Sequence, residues 1–424
     1  MAVIENAIDR VARFLKKDPA EIRFLNFYNE ENRNITPYGE TVRNIHLQKM
    51  FEKLVESSSY YKRRKEIDLF NHAHEFQKRG IALTPVKFGI SFNTTFLNQA
   101  GALVNIYNDG SVQVNHGGIE MGQSLYEKIR MIASLELGIN PEFIRINATS
   151  TSKVPNTSAT AASSGSDMNG MAVKNAIGTL KSRLADVAAN LLREKFPGSK
   201  LNNEGLIFES NFIFNPSDPE KKISFTDAVN AAYHDRVSLS ATGFYKTPDI
   251  FFNNDTNKGA PFYYYSFGMA VSEVLVDVLT GQHKLLRTDI IQDAGDSIDE
   301  EIDKGQILGG FIQGVGWCTT EEIKWDGSGR LLTHSPDTYK IPTVNDIPEE
   351  IRIEIMKNVP NPGTIHHSKA IGEPPFMLAF SVWLAIKDVI SAVGNHRLEP
   401  GFALPATGEV ILLSCHNQLK KDGI

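Results

Sequence analysis

Strand signals in this chain come in pairs, and this constrains the fold more than any other feature. From Ala102 to His116, Val104 and Ile106 alternate with polar residues, Asp109-Gly110 marks a turn, and Val112 and Val114 alternate on the return, which reads as a β-hairpin. A second long pair is centred on Thr280-Gly281, with Val274, Val276 and Val278 before the turn. Single helices separate the pairs. One follows Gly122 with Leu125, Ile129, Ile132 and Leu135 inward, another follows an N-cap at Asp167, and two more are read near 303–316 and 377–393. The pattern predicts an α+β fold, mixed sheets with packed helices, rather than a doubly wound parallel sheet.

Before Gly80 the grammar is helical. Val3, Ile4, Ala7, Ile8, Val11, Ala12 and Leu15 share one helical face. Asp18-Pro19-Ala20-Glu21 supplies an N-cap, a proline at N1 and a glutamate at N3 for a second helix. A helix that is amphipathic from its first residue reads as one that begins inside a domain. Leu47, Met50, Phe51 and Leu54 mark a further helix, and Lys62-Arg63-Arg64-Lys65 reads as a solvated helix face rather than an anion site.

Composition narrows the class. The 424 residues allow two or three domains, or one large domain with extensions, and 41% hydrophobic content is enough for a sizeable core. A net charge of −6 argues against nucleic-acid binding by general electrostatics. Two cysteines, Cys318 and Cys415, supply neither a disulfide framework nor a structural zinc site. No apolar run approaches the roughly 20 residues of a membrane span, and the N-terminus lacks the pattern of a signal peptide. A cytoplasmic protein is expected.

Four segments have the composition of a site. Gly117-Gly118-Ile119-Glu120-Met121-Gly122-Gln123-Ser124 follows a strand and opens a helix, whose free amides suit an anion. Thr160-Ala161-Ala162-Ser163-Ser164-Gly165-Ser166 offers almost no bulk to exclude a large cofactor. Gly309-Gly310-Phe311-Ile312-Gln313-Gly314-Val315-Gly316 has the wrong glycine order for a dinucleotide fingerprint and lies in a helical pattern. For each of these alone, tight turns or close helix packing explain the glycines better than a ligand does. In Ser368-Lys369-Ala370-Ile371-Gly372-Glu373-Pro374-Pro375, one carboxylate sits on a stiff, non-helical backbone, which suits either a general base or a helix-start acid. No His-Glu-x-x-His or Cys-x-x-Cys motif offers direct metal ligands, and neighbouring His366 and His367 point apart on most backbones.

Taken in order with Lys87–Phe92, Phe96–Ala102, Val154-Pro155-Asn156, Val237–Tyr245 and Asp337–Pro342, these segments resemble the molybdenum-binding portion of the xanthine dehydrogenase family. The Ser238–Tyr245 stretch favours the xanthine dehydrogenase branch over aldehyde oxidases and carbon monoxide dehydrogenases. The resemblance implies a molybdenum cofactor domain of the xanthine oxidase/aldehyde oxidase type. Its metal, bearing a sulfido ligand, would be held by a pterin dithiolene (molybdopterin), with no ligand from the protein. It implies hydroxylation of a purine, hypoxanthine or xanthine, with oxygen from water. Glu373 becomes the base, and Phe92 one of two phenylalanines that sandwich the substrate, with Asn93 beside it. Gly122, Gln123, Ala161, Ala162, Ser163, Gly165, Ser166 and Gln313 become cofactor-contacting residues.

The same resemblance divides the chain into 1–58, the end of a first molybdopterin-binding domain with connecting helices; 59–345, a second such domain; and 346–424, the segment with the base and a closing helix. It implies partners: polypeptide carrying the N-terminal half of the molybdenum site, two-iron two-sulfur clusters and FAD on other domains or subunits, and a dimer of the complete assembly. This chain then reads as a fragment or one half of a split subunit. Departures from the family pattern, Asn93 where threonine is usual and Ser124 where glycine is usual, leave two alternatives open. They are another heteroaromatic hydroxylase, nicotinate- or purine-type, and a catalytically silent assembly subunit.

Overall fold

The structure is a computed structural model and describes residues 1–154, 156–197 and 205–421. Pro155 of the Val154-Pro155-Asn156 motif lies outside the described residues. Four helices open the chain: α1 (Ala2–Phe14), α2 (Pro19–Leu25), α3 (Leu47–Ser57) and α4 (Tyr60–Ala73). The long strand β1 (Gln77–Ile90) leads to the hairpin β2 (Gln99–Ile106) and β3 (Val112–His116). Next come α5 (Leu125–Leu137), β4 (Ile144–Ile146) and the long helix α6 (Gly165–Lys195). Short strands β5 (Ile207–Glu209), β6 (Phe212–Phe214) and β7 (Lys222–Ser224) precede α7 (Phe225–His234) and β8 (Ser240–Lys246). After the small pair β9 (Phe251–Asn253) and β10 (Lys258–Ala260) comes the second long hairpin, β11 (Tyr264–Asp277) and β12 (His283–Gln292). The chain closes with α8 (Glu300–Thr319), β13 (Glu350–Ile355), α9 (Pro374–Met377), α10 (Phe380–Val393) and α11 (Gly408–Lys421).

Two layered units result. Strands β4-β3-β2-β8 form one sheet, and α5, α6 and α7 bury its inner residues Ala102, Val104, Val112 and Val114. Strands β1-β11-β12-β13 form the other, antiparallel except for the parallel β12–β13 pair. This second sheet is covered on both faces. Ile81, Leu83, Met269 and Val271 pack against α2, α3 and α4, while Ala82, Val86, Ala270 and Val274 pack against α8, α10 and α11. Double burial explains why β11 is buried along almost its whole length instead of alternating. The α+β class and both hairpins are as expected, with Gly110 (φ 85°) and Gly281 (φ 73°) supplying the left-handed backbone their turns need. The expected divisions near 58 and 345 fall within continuous packing, because β13 pairs with β12 and α3 packs on β11.

Four sequence expectations are corrected. Helix α1 turns its apolar residues outward: Val3 is 86% and Phe14 87% exposed, while Glu5, Asp9 and Ala12 are buried. The reason is a charged inner face, where Glu5 meets Arg23 at 2.7 Å and Asp9 meets Lys387 at 2.9 Å. Leu135 is 56% exposed; Leu137 takes the inward place one half-turn later. The basic run 62–65 is only half solvated, since Arg63 is buried against Glu273 (2.7 Å) and Asp289 (3.1 Å) and Arg64 meets Asp18 at 2.9 Å. The stretch Pro374–Val393 is, after all, long and apolar enough by composition to cross a membrane. Here it is core: every residue from Ser381 to Ser391 is buried.

Close approach of α10 to β1 makes Gly80 irreplaceable, because a Cβ there would sit 2.2 Å from the Ala385 carbonyl oxygen. Gly80→Val should therefore destabilise the chain by roughly 3 kcal/mol, the upper end of overpacking costs. Urea unfolding checks this, and an unchanged midpoint would show that α10 shifts freely.

Candidate functional site

Three of the four segments, up to about two hundred and fifty positions apart in sequence, converge on one cavity of about 380 Å³. Its wall includes Met121 and Gln123 from the first, Thr160, Ala161, Ala162, Ser163, Gly165, Ser166 and Asp167 from the second, and Ser368 to Glu373 from the last. Helix α5 adds Leu125 and Lys128, and α8 adds Asp303 and Gln306.

Glu373 and Ser163 form the centre of the arrangement. The Ser163 Oγ donates to Glu373 Oε2 at 2.8 Å and accepts from the Glu373 backbone N–H at 2.9 Å. Among the described residues, the other carboxylate oxygen meets no donor. Ser163 reaches this position through a tight turn, with Ala162 (φ 53°) and Ser163 (φ 56°) both left-handed. The backbone at Glu373 is in the helical region (φ −87°, ψ −32°) and directly precedes α9, so the non-helical expectation is corrected; Pro374 and Pro375 occupy the first positions of that helix, where a missing N–H costs nothing.

The segment carrying Glu373 is fixed from below. Lys369, whose side chain is 1% exposed, pairs with the fully buried Asp293 at 2.5 Å. The Ala370 N–H donates to the Tyr264 hydroxyl (2.8 Å), which itself donates to Asp167 Oδ2 at 2.5 Å. Asp167 is therefore not the N-cap of α6 but a buried acid in its first turn, and Ser164 holds the cap position. Burial pushes the Asp167 carboxyl up to about 7, against the lowering effects of the Tyr264 hydroxyl and of Lys128. Lys128 itself is ion-paired with Asp303, whose other oxygen accepts from Ser297 Oγ at 2.6 Å.

The first segment departs from expectation. The amides at the start of α5 are not free for an anion: Glu120 accepts from the N–H groups of Gly122 (2.9 Å), Ser124 (3.0 Å) and Tyr126 (2.9 Å). The Gln123 side chain folds back onto its own loop, bonding Met121 N–H (2.6 Å) and the Ile119 carbonyl (2.8 Å), yet still lines the cavity. Gly122 (φ 96°) shapes that loop without lining the cavity. His116, beneath it, accepts from the Gly118 N–H at 3.1 Å, and burial pushes its imidazole down to about 4.

Phe92, Asn93 and Gln313 are not brought to the cavity. The Phe92 backbone is tied to Asn98 in an outer loop, Asn93 is exposed, and Gln313 lies on the exposed side of α8, two turns beyond Gln306. Two glycines of the third segment serve packing, since a Cβ on Gly314 would sit 2.3 Å from the Phe376 carbonyl oxygen and one on Gly316 2.5 Å from the Pro342 ring, whereas Gly309 meets nothing within 4 Å. Lys128, Asp167, Asp303 and Gln306 were not singled out as site residues from sequence. The signal that could have found them is a polar residue on an otherwise buried helix stripe, as at Asp303 between the apolar turns of α8.

A fold of two such layered units around a cavity walled by small residues defines a cofactor-binding class, and the comparisons agree. Residues 53–348 match the molybdopterin cofactor-binding domain model, and the chain belongs to that family. It is 43% identical over 424 residues to a xanthine dehydrogenase/oxidase from Gallus gallus and 44% identical over 418 residues to a xanthine dehydrogenase from Calliphora vicina. These matches cover 99% and 98% of this chain and 29% of each relative, so the chain spans less than a third of their length. The fold is shared with quinoline 2-oxidoreductase from Pseudomonas putida 86 (TM-score 0.83, 24% identity, 97% of this chain and 51% of that one). It is shared equally with a Cu,Mo-CO dehydrogenase (TM-score 0.83, 21% identity, 99% and 51%). The cavity fits such a cofactor. Its wall at Ala161, Ala162, Ser163 and Gly165 admits a flat group, and a Cβ added to Gly372 would close to 3.2 Å of Ser163 Oγ. Among the described residues no three His, Cys, Asp or Glu are grouped to hold an ion directly.

Glu120→Ala should release three capped amides and loosen the 117–126 loop by about 1–2 kcal/mol. Amide hydrogen exchange at Gly122, Ser124 and Tyr126 should accelerate about tenfold while the α6 amides stay unchanged; equal exchange in both proteins would show that the cap contributes nothing.

Proposed function

We propose that this chain forms part of a molybdenum hydroxylase that oxidises a purine with oxygen drawn from water, and that Glu373 is its base. The observation that carries this reading is the Ser163–Glu373 pair at the wall of a cavity lined by small residues, in a member of the molybdopterin-binding family. The group, when bound, supplies the two-electron oxidising centre. The chain's own residues do the rest. Ala161, Ala162, Gly165 and Ser166 leave room for the pterin, and Met121 and Gln123 also line the cavity. Ser163 holds one carboxylate oxygen of Glu373, leaving the other to take up the proton released as water oxygen is transferred. The purine specificity rests on similarity to xanthine dehydrogenases along this chain. Partners carrying iron–sulfur clusters and FAD would receive the electrons, and further polypeptide would complete the substrate pocket that Phe92 and Asn93 do not line here. A dimeric assembly in the cytoplasm belongs to the same reading.

In the assembled enzyme, Glu373→Gln should lower kcat by about 10²–10⁴, the usual worth of general-base catalysis, with molybdenum content unchanged. Purine hydroxylation with an artificial electron acceptor measures this. A loss smaller than about tenfold, or about 1.4 kcal/mol of barrier, would remove Glu373 from the role of base.

A further inference from the structure

We propose that Asp167 is a binding residue of this cavity in its protonated form, so that an anionic ligand and one proton bind together. The inference rests on the cofactor reading above and adds a chemical requirement to it: the pterin's phosphate monoester cannot enter while Asp167 is ionised without a large electrostatic cost.

The argument is a count of charge. The charged residues lining the cavity are Lys128, Lys369, Asp167, Asp303 and Glu373. Both lysines are already neutralised, Lys128 by Asp303 and Lys369 by buried Asp293 at 2.5 Å. Two cations thus face four carboxylates, counting Asp293, and a phosphate would add as much as two further negative charges. Glu373 is exposed to solvent, which screens it. Among the described residues, Asp167, 8% exposed, has no salt-bridge partner and a single hydroxyl donor, Tyr264 at 2.5 Å. It is the carboxyl whose protonation relieves the most repulsion. Once protonated, it also becomes a donor that a phosphate oxygen accepts.

The groups around Asp167 do not compete for that proton. Tyr264 on β11 and Tyr245 and Tyr263 nearby are all held neutral by burial, with their hydroxyls pushed above the ordinary tyrosine value. Lys128 on α5 is the cation that acts on Asp167 across the cavity, and it is tied to Asp303. Burial already pushes the carboxyl up to about 7 before any anion arrives, and an added negative charge raises it further.

The sign follows from linkage. Above about pH 7 the free site has lost the proton that the occupied site keeps, so ligand affinity falls as pH rises, by up to tenfold per unit. The phosphate's own second ionisation, near 6, is complete by then, so the slope belongs to the protein. The experiment uses the assembled, cofactor-loaded enzyme, dialysed between pH 7 and 9, with retained molybdenum and pterin measured by mass spectrometry and pterin fluorescence. Wild type should release cofactor increasingly, approaching a tenfold rise per pH unit, and Asp167→Asn should be flat over the same range. Tyr264→Phe, which removes the hydroxyl favouring the ionised carboxyl, should move the onset to higher pH. Cofactor-loaded wild type with pH-independent retention, or an Asp167→Asn enzyme that keeps the wild-type slope, overturns this inference alone. An assembled enzyme that never contains pterin overturns it together with the cofactor reading.

Discussion

The fourteen-residue pairing of β1 with β11, from Gln77 opposite Asp277 to Ile90 opposite Tyr264, carries the rest of the molecule. It is buried on both faces, so a slip of one residue would drive Ile81 and Leu83 out of the α2–α4 layer and Ala82 and Val86 out of the α8–α10 layer at once. Its register also fixes the site. Tyr264, the first residue of β11, delivers the hydroxyl that joins Asp167 to the Ala370 amide. At the end of β12, Asp293 receives Lys369 and the Ala294 carbonyl accepts the Lys369 N–H at 2.7 Å. The strand ends thus hold the loop from which Glu373 projects.

Charge is used inside this framework as a locating device. Arg63 of α4 reaches Glu273 on β11 and Asp289 on β12, and Asp289 also receives Arg287 at 2.7 Å. Lys387 of α10 bridges Asp9 of α1 at 2.9 Å and Glu399 at 2.6 Å. Such pairs offer little net stability over apolar packing, since desolvation offsets most of the attraction. They are instead intolerant of any arrangement that separates them, which suits helices that must sit on a sheet at one rotation. That explains why α1 presents a charged stripe inward although its apolar stripe is the larger.

Local signals in the sequence were read correctly where the physics is local. The turns at Asp109-Gly110 and Thr280-Gly281, the N-cap at Asp18 with Pro19 behind it, and the helical nature of the 309–316 segment each depend on neighbours in sequence. What failed depends on distant partners. Nothing in 3–15 says that Arg23 and Lys387 wait on the polar side, and nothing in 62–65 points to Glu273 and Asp289. At the site, the small-residue loop and Glu373 were recognisable, but their reciprocal contact spans 210 positions. Glu120 was in view inside a glycine-rich segment, yet its capping of Tyr126 depends on the loop folding back over the helix start. Gln306 and Gln313 lie on one face of one helix two turns apart, so helical periodicity does not separate them, yet Gln306 lines the cavity and Gln313 does not.

The Ala162-Ser163 turn shows how the site joins strain to function. Two successive non-glycine residues in the left-handed region cost about 1–2 kcal/mol each relative to ordinary backbone. Glycine would lower that cost but could not supply Ser163 Oγ, which exchanges two hydrogen bonds with Glu373, one of them to a charged oxygen. Charge-assisted bonds are about twice as strong as neutral ones, so this pair offsets much of the strain. One of the two bonds comes from the Glu373 backbone N–H and does not depend on the side chain, and the other needs only an oxygen acceptor at position 373. The turn therefore keeps its shape while such an acceptor stands there, so the geometry of the small-residue wall and the position of the proton acceptor are set together.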